Sequence, residues 1–128
     1  MLANTTPGIS GVTVNLLDPT QNKGDYALGD TYHQIKNVVG SVFDDNLTGD
    51  NQNNVLSGDQ GNDTLTGGAG ADTLQGGQGV DTVSYADLGP GAGVSVSFLS
   101  PKTNTGEAAG DVFVDIENLI GSKNNDTL

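Results

Sequence analysis

The chain has 128 residues, 34% of them hydrophobic, with no Trp and three Phe, enough for one domain but not for a thick core. Sixteen acidic residues face four lysines and no arginine, a formal charge of -12, which excludes nucleic acid and anionic membrane surfaces as partners because both call for clustered Lys and Arg. Cysteine is absent, so disulfides, thiolate metal sites and cysteine nucleophiles are excluded together, and a thin acidic domain of this kind needs a cationic staple from outside the sequence.

Residues 1–39 form an N-terminal flank. Residues 1–11 lack the basic and apolar parts of a signal peptide, and no apolar run in the chain approaches the roughly 20 residues of a membrane span. The alternation of Val12, Val14 and Leu16 predicts a half-buried strand over residues 11–17. Residues 18–30 carry Pro, Gly, Asn and Asp and read as a loop. Residues 31–39 are a second strand candidate leading into Gly40. His33 is the only histidine; a zinc or Ser-His-Asp site would have to be built around one imidazole, so it reads as a surface or strand residue.

From Gly40 the chain reads in nines: GSVFDDNLT, GDNQNNVLS, GDQGNDTLT, GGAGADTLQ, GGQGVDTVS. The first position is always Gly (Gly40, Gly49, Gly58, Gly67, Gly76). The sixth is Asp45, Asn54, Asp63, Asp72 or Asp81, and the eighth Leu47, Leu56, Leu65, Leu74 or Val83. Gly61, Gly70 and Gly79 fill the fourth position of the last three units only, and Gly68 and Gly77 the second position of the last two. Each unit divides into a six-residue turn and a three-residue strand. Glycine permits positive φ and close backbone approach in the turn, and the apolar middle residue of each triplet faces opposite to its neighbours, so one Leu or Val per triplet points inward. Two units make a coil of 18 residues, with the turns of units one, three and five stacked on one edge and those of two and four on the other. Such stacked turns offer main-chain carbonyls from positions one to four and both sixth-position carboxylates, the hard oxygen set of about six to eight ligands that calcium takes.

Residues 85–120 form a second flank and residues 121–128 the start of a further repeat. A longer period of about 82 residues relates the flanks: the segment GVTVNLLDPTQNKGDYALGDTYHQIKNVVGSVFDDNL from Gly11 aligns with GVSVSFLSPKTNTGEAAGDVFVDIENLIGSKNNDTL from Gly93, with one residue gapped near Leu28. Residues 93–99 and 112–120 are therefore strand candidates and residues 100–111 a loop. No amphipathic helix is predicted anywhere. An EF-hand is excluded because a loop starting at Asp44 would place Val55 where the twelfth-position Glu belongs. A dinucleotide site is excluded because no Gly-x-Gly-x-x-Gly opens a helix after a strand. Asp111, Asp115 and Glu117 sit in a flank without other catalytic partner types, so no glycosidase-like pair is assigned. The Asn46 and Asn62 sequons read as accidents of composition, and Tyr26, Tyr32 and Tyr85 as covers on the sides of the molecule.

GGAGADTLQ and GGQGVDTVS match G-G-x-G-x-D-x-U-x, with U apolar, at every defined position, and GDQGNDTLT at all but the second glycine. On these residues the chain resembles the RTX (repeats-in-toxin, haemolysin-type calcium-binding) nonapeptide repeat family over residues 40–84. The resemblance implies an all-β fold, a right-handed parallel β-roll with calcium in the turns. It implies about three calcium ions: Asp45 with Asp63 and Asp63 with Asp81 on one edge, Asn54 with Asp72 on the other. The first site on each edge is expected to be weaker, because Phe43 and Gln52 replace the fourth glycine and Asn54 is neutral. Asp126 would open another site if more coils followed. The implied role is a non-enzymatic calcium-binding module of a secreted or cell-surface bacterial protein, passing unfolded through a type I secretion channel and folding in extracellular calcium. Two alternatives stand beside it: a building block that associates with further copies or adjacent repeats in a surface layer, adhesin stalk or filament, and a non-catalytic appendage of an exported enzyme.

Overall fold

The computed structural model describes residues 10–24, 27, 28, 30–88, 91 and 93–128; the reading of residues 1–9 and the placing of Tyr26 fall outside them. Among the described residues nine short strands run in chain order: β1 (Thr13–Asn15), β2 (Asn37–Val39), β3 (Asn46–Thr48), β4 (Val55–Gln60), β5 (Thr64–Thr66), β6 (Thr73–Gln78), β7 (Thr82–Ser84), β8 (Val112–Val114) and β9 (Asn118–Ile120). They form two parallel sheets, one ordered β1-β3-β5-β7-β9 and the other β2-β4-β6-β8. The only helical segments among the described residues are three 3-10 turns. The fold is a parallel β-roll.

The nine-residue repeat sets the register directly. Leu47 pairs with Leu65 and Leu65 with Val83 in one sheet, and Leu56 pairs with Leu74 in the other. Stacking in register places like residues above one another, so the eighth-position side chains form two facing columns. Leu47, Leu56, Leu65, Leu74 and Val83 are all fully buried. Val14 extends the first column, Val38 the second, and Phe113 and Leu119 pack partly buried at the far end. Each buried Leu contributes roughly 1.5–3 kcal/mol, and the core is one residue wide on each side, as the composition demands. β4 and β6 run three residues further than their triplets, so Asp59 pairs with Gly77 and Gln60 with Gln78 inside the following turn.

The flanks supply strands to the same two sheets. β1 pairs with β3 and β2 with β4, while β8 pairs with β6 and β9 with β7. The strand expected over residues 31–39 is confined to β2. Residues 112–120 are two strands, because a short turn with Asp115 at φ 50° carries the chain from one sheet to the other. Residues 93–99 contribute a single parallel bridge, Ser95 to Thr127. Tyr85 does not cover the outside: it is 3% exposed and belongs to the core.

The long period is written into the hydrogen bonds as well as the sequence. Val12 N–H donates to Asp45 Oδ1 at 2.7 Å and Val94 N–H to Asp126 Oδ1 at 2.9 Å. Asn15 N–H donates to Asn22 Oδ1, and Ser97 N–H to Asn104 Oδ1, both at 2.7 Å. Each Asn follows a 3-10 turn opened by Pro19 or Pro101. The parallel pairing of Thr13 with Asn46 has its counterpart in that of Ser95 with Thr127.

Candidate metal centres in the stacked turns

The five repeat turns are of two kinds. In turns 58–63, 67–72 and 76–81 the second and fourth positions both adopt positive φ: Asp59 84° and Gly61 115°, Gly68 94° and Gly70 128°, Gly77 113° and Gly79 140°. Turns 40–45 and 49–54 have no left-handed residue. Side chains close them instead, with Phe43 N–H donating to Ser41 Oγ at 3.1 Å and Gln52 N–H to Asp50 Oδ1 at 2.8 Å. Phe43 and Gln52 stand where glycine is missing because nothing there requires positive φ.

The sixth-position side chains stitch each coil to the one before it. Asp63 Oδ1 accepts the N–H of Asp45, Asp81 Oδ1 that of Asp63, and Asp72 Oδ1 that of Asn54, each at 2.8 Å. All three aspartates are at most 1% exposed. Their other oxygens, Asp63 Oδ2, Asp72 Oδ2 and Asp81 Oδ2, are buried with no hydrogen-bond partner, as is Asn54 Nδ2. The three turns with paired left-handed positions are the three whose carboxylates keep an unpartnered oxygen. Asp45 is different: Ser41 donates to it from both its N–H and its Oγ.

The invariant first glycine follows from this arrangement. A Cβ on Gly40, Gly58, Gly67 or Gly76 would overlap Oδ2 of Asp45, Asp63, Asp72 or Asp81, and one on Gly49 would overlap Asn54 Oδ1. Each carboxylate lies across its own turn's opening glycine. Carbonyl oxygens crowd the same edges: a Cβ on Gly68, Gly77 or Gly79 would overlap the carbonyl oxygen of Asp50, Asp59 or Gly61 in the preceding coil. Gly61 and Gly70 lie against the backbone of Phe43 and Gln52.

Burial of these carboxylates raises their pKa. Desolvation, reinforced by Asp45 and Asp81, lifts Asp63 to about 7 against the pull of its hydrogen bond from Asp45. Desolvation lifts Asp72 to about 6, with Asp111 adding to the rise, and raises Asp81 as well. A buried carboxylate with an unpartnered oxygen is costly unless a cation compensates it. Among the described residues no three Asp, Glu, His or Cys side chains converge, so any ion held here takes most of its ligands from main-chain carbonyls. An all-oxygen donor set with one buried carboxylate per turn fits calcium rather than zinc or copper.

Two members of the ladders escape the nonapeptide reading. Asp111 Oδ1 accepts the N–H of Asp72 at 2.9 Å, and Glu117 Oε2 accepts that of Asp81 at 2.8 Å. The signal for Asp111 is GEAAGDVFV from Gly106, a unit with Gly first, Asp sixth and Phe eighth. Its turn differs from the others, with positive φ at Gly106 and Gly110, and its second carboxylate oxygen accepts the Tyr85 hydroxyl at 2.6 Å. Glu117 serves a shorter turn, its longer side chain making up the reach. Asp126, at the far end, takes the Ser122 hydroxyl on Oδ1 at 2.6 Å, a bond that lowers its pKa.

A family model described as the RTX calcium-binding nonapeptide repeat matches the chain in four copies, over residues 37–65 and 57–86. No curated protein matches the chain. No helix among the described residues is long and apolar enough to cross a membrane.

Proposed function

Residues 37–86 belong to the RTX calcium-binding nonapeptide repeats, and from that premise we propose that this chain is a module whose roll forms when calcium neutralises its turn carboxylates outside the cell. The RTX repeat is a structural calcium-binding unit, not a catalytic one. The observation that carries the proposal is the coincidence of unpartnered Oδ2 atoms on Asp63, Asp72 and Asp81 with the three turns that have two left-handed positions.

Three ions are assigned. Asp45 and Asp63, and Asp63 and Asp81, frame two sites on one edge; Asn54 and Asp72 frame the third on the other. The glycines at positions one, two and four, from Gly40 to Gly79, let the turns stack closely enough for carbonyls to join each site. Calcium supplies positive charge to oxygens that have no other compensation. The first site on each edge is the weaker, since turns 40–45 and 49–54 are closed by Ser41 and Asp50.

The magnitudes make this a folding switch. With a site Kd near ~10⁻⁴ M, about 1 mM calcium stabilises by about 1.4 kcal/mol per site, or about 4 kcal/mol for three. Net stabilities run from about 5 to 15 kcal/mol, so for a roll this thin the ions decide the state. In low cytosolic calcium the Gly-rich acidic segment stays unfolded, which suits passage through a secretion channel and folding at the cell surface or beyond. Equilibrium dialysis against radioactive calcium tests the reading: about three ions per chain bound together with a gain in β-sheet signal support it, and no uptake refutes it.

A further inference from the structure

Between β8 and β9 the chain turns in residues 115–117 alone, half the length of a nonapeptide turn, yet this short turn puts oxygens where the repeats put theirs. Thr82 N–H donates to Asp63 O at 2.8 Å, and Asn118 N–H to Asp81 O at 2.9 Å. Glu117, just before Asn118, therefore stands in the register of a sixth position. Its Oε2 accepts the Asp81 N–H, as Asp81 Oδ1 accepts that of Asp63, both at 2.8 Å. The start of the turn corresponds as well. A Cβ on Gly40 would overlap Asp45 Oδ2 and the carbonyl oxygen of Gly58, and one on Gly49 would overlap Asn54 Oδ1 and the carbonyl oxygen of Gly67. Over Gly76 the same two places are held by Asp81 Oδ2 and the carbonyl oxygen of Asp115. Asp115 reaches that place at φ 50°, without a glycine.

The oxygens brought together here lack compensation. Asp81 is fully buried, and its Oδ2 has no hydrogen-bond partner. Burial raises its pKa, and the negative charges of Glu117 and Asp115 add to the rise. Glu117 commits only Oε2 to a hydrogen bond among the described residues. Two carboxylates and a carbonyl are hard oxygen donors, and with water completing the set they suit calcium; a cation also offsets the cost of the buried charge.

We propose that Asp81 Oδ2, the Asp115 carbonyl and the Glu117 carboxylate hold a further calcium ion between turn 76–81 and the short turn 115–117. The site rests on the preceding reading that stacked turns bind calcium, and it lies partly outside the matched repeats, which end at residue 86. Its closing turn has neither the length nor the glycines of a nonapeptide. The ion ties the corner between β8 and β9 to the last repeat, so the calcium-dependent unit extends through the flank to Glu117.

Carboxyl footprinting of the whole chain tests this, with a carbodiimide and glycine ethyl ester as the probe. Glu117 and Asp87 are both exposed in the folded chain, so folding alone shields neither. With a site Kd of ~10⁻⁴ M, about 1 mM calcium slows labelling of Glu117 by about tenfold, while Asp87 is labelled as before. Glu117→Gln keeps an oxygen for the Asp81 N–H and removes the charge. By calorimetric titration this variant takes up one ion fewer than the native chain, with the Asp81 amide still protected from hydrogen exchange. A folded, calcium-loaded chain whose Glu117 is labelled as fast as in chelator overturns the site and leaves the preceding reading standing, as does equal uptake by Glu117→Gln and the native chain. A native chain that takes up no calcium overturns both.

Discussion

Asp63 holds the N–H of Asp45 with one carboxylate oxygen, at 2.8 Å and across 18 residues of sequence, while its other oxygen is buried without a partner. The first oxygen builds the roll; the second is left for a proton or a cation to neutralise. The two demands can be separated by substitution.

Asp63→Asn keeps an oxygen for the Asp45 N–H and removes the buried charge. In chelator at neutral pH the variant is expected to retain more β structure than the native chain. In calcium the order reverses, because Asp63 would frame two of the three proposed sites, and uptake should fall by about two ions. Circular dichroism in chelator and thermal melts in calcium, alongside calorimetric titration, check both signs.

The metal-free chain should be more stable in acid. Burial raises Asp63 to about 7 and Asp72 to about 6 from an unfolded value near 3.8. A carboxylate whose folded pKa is raised contributes stability fully below its unfolded pKa and loses it as pH rises through its folded pKa. Between about pH 4 and 7 the chelated protein should therefore lose β structure as pH rises. With calcium the trend inverts, since protons compete for the same oxygens. Circular dichroism across this window in chelator and in calcium reads the crossing; parallel curves would contradict the assignment.

Asp59 is the one non-glycine among the six left-handed positions of the three nest-like turns, at φ 84°. Asp59→Gly should stabilise by up to about 1 kcal/mol, the relief of backbone strain offset in part by greater freedom of the unfolded chain. Chemical denaturation in saturating calcium measures it. A loss of stability would show that the Asp59 carboxylate has a role of its own.

Tyr85→Phe removes the hydroxyl that donates to Asp111 Oδ2 at 2.6 Å. A buried carboxylate oxygen then joins the unpartnered ones, at a cost of about 1.5–3 kcal/mol. Burial also raises the Asp111 pKa, so the loss should shrink in acid as that carboxyl protonates. Denaturation at neutral and acid pH distinguishes this from a simple packing defect, which would be the same at both.

The repeat block was legible in the sequence because its period fixes everything: nine residues set the triplets, 18 set the register, and Leu or Val at the eighth position sets the core. The flanks were less so. Residues 112–120 read as one apolar run, yet Asp115 turns the chain in its middle, and no composition signal marks a three-residue turn between two three-residue strands. Asp111 was hidden because a long loop breaks the count of nine ahead of it, and Tyr85 because its partner lies 26 residues away. Position of the sixth-position carboxylates followed from spacing; the division of labour between their two oxygens did not, since it depends on which turns adopt left-handed positions and which are closed by Ser41 and Asp50.

Circular dichroism of the purified chain during a calcium titration, repeated with magnesium, tests the central claim most directly. A cooperative gain of β-sheet signal near millimolar calcium, reversed by chelator and absent with magnesium, which dehydrates reluctantly and demands near-ideal octahedral geometry, is the predicted result. A chain equally ordered after exhaustive chelation at neutral pH would contradict it.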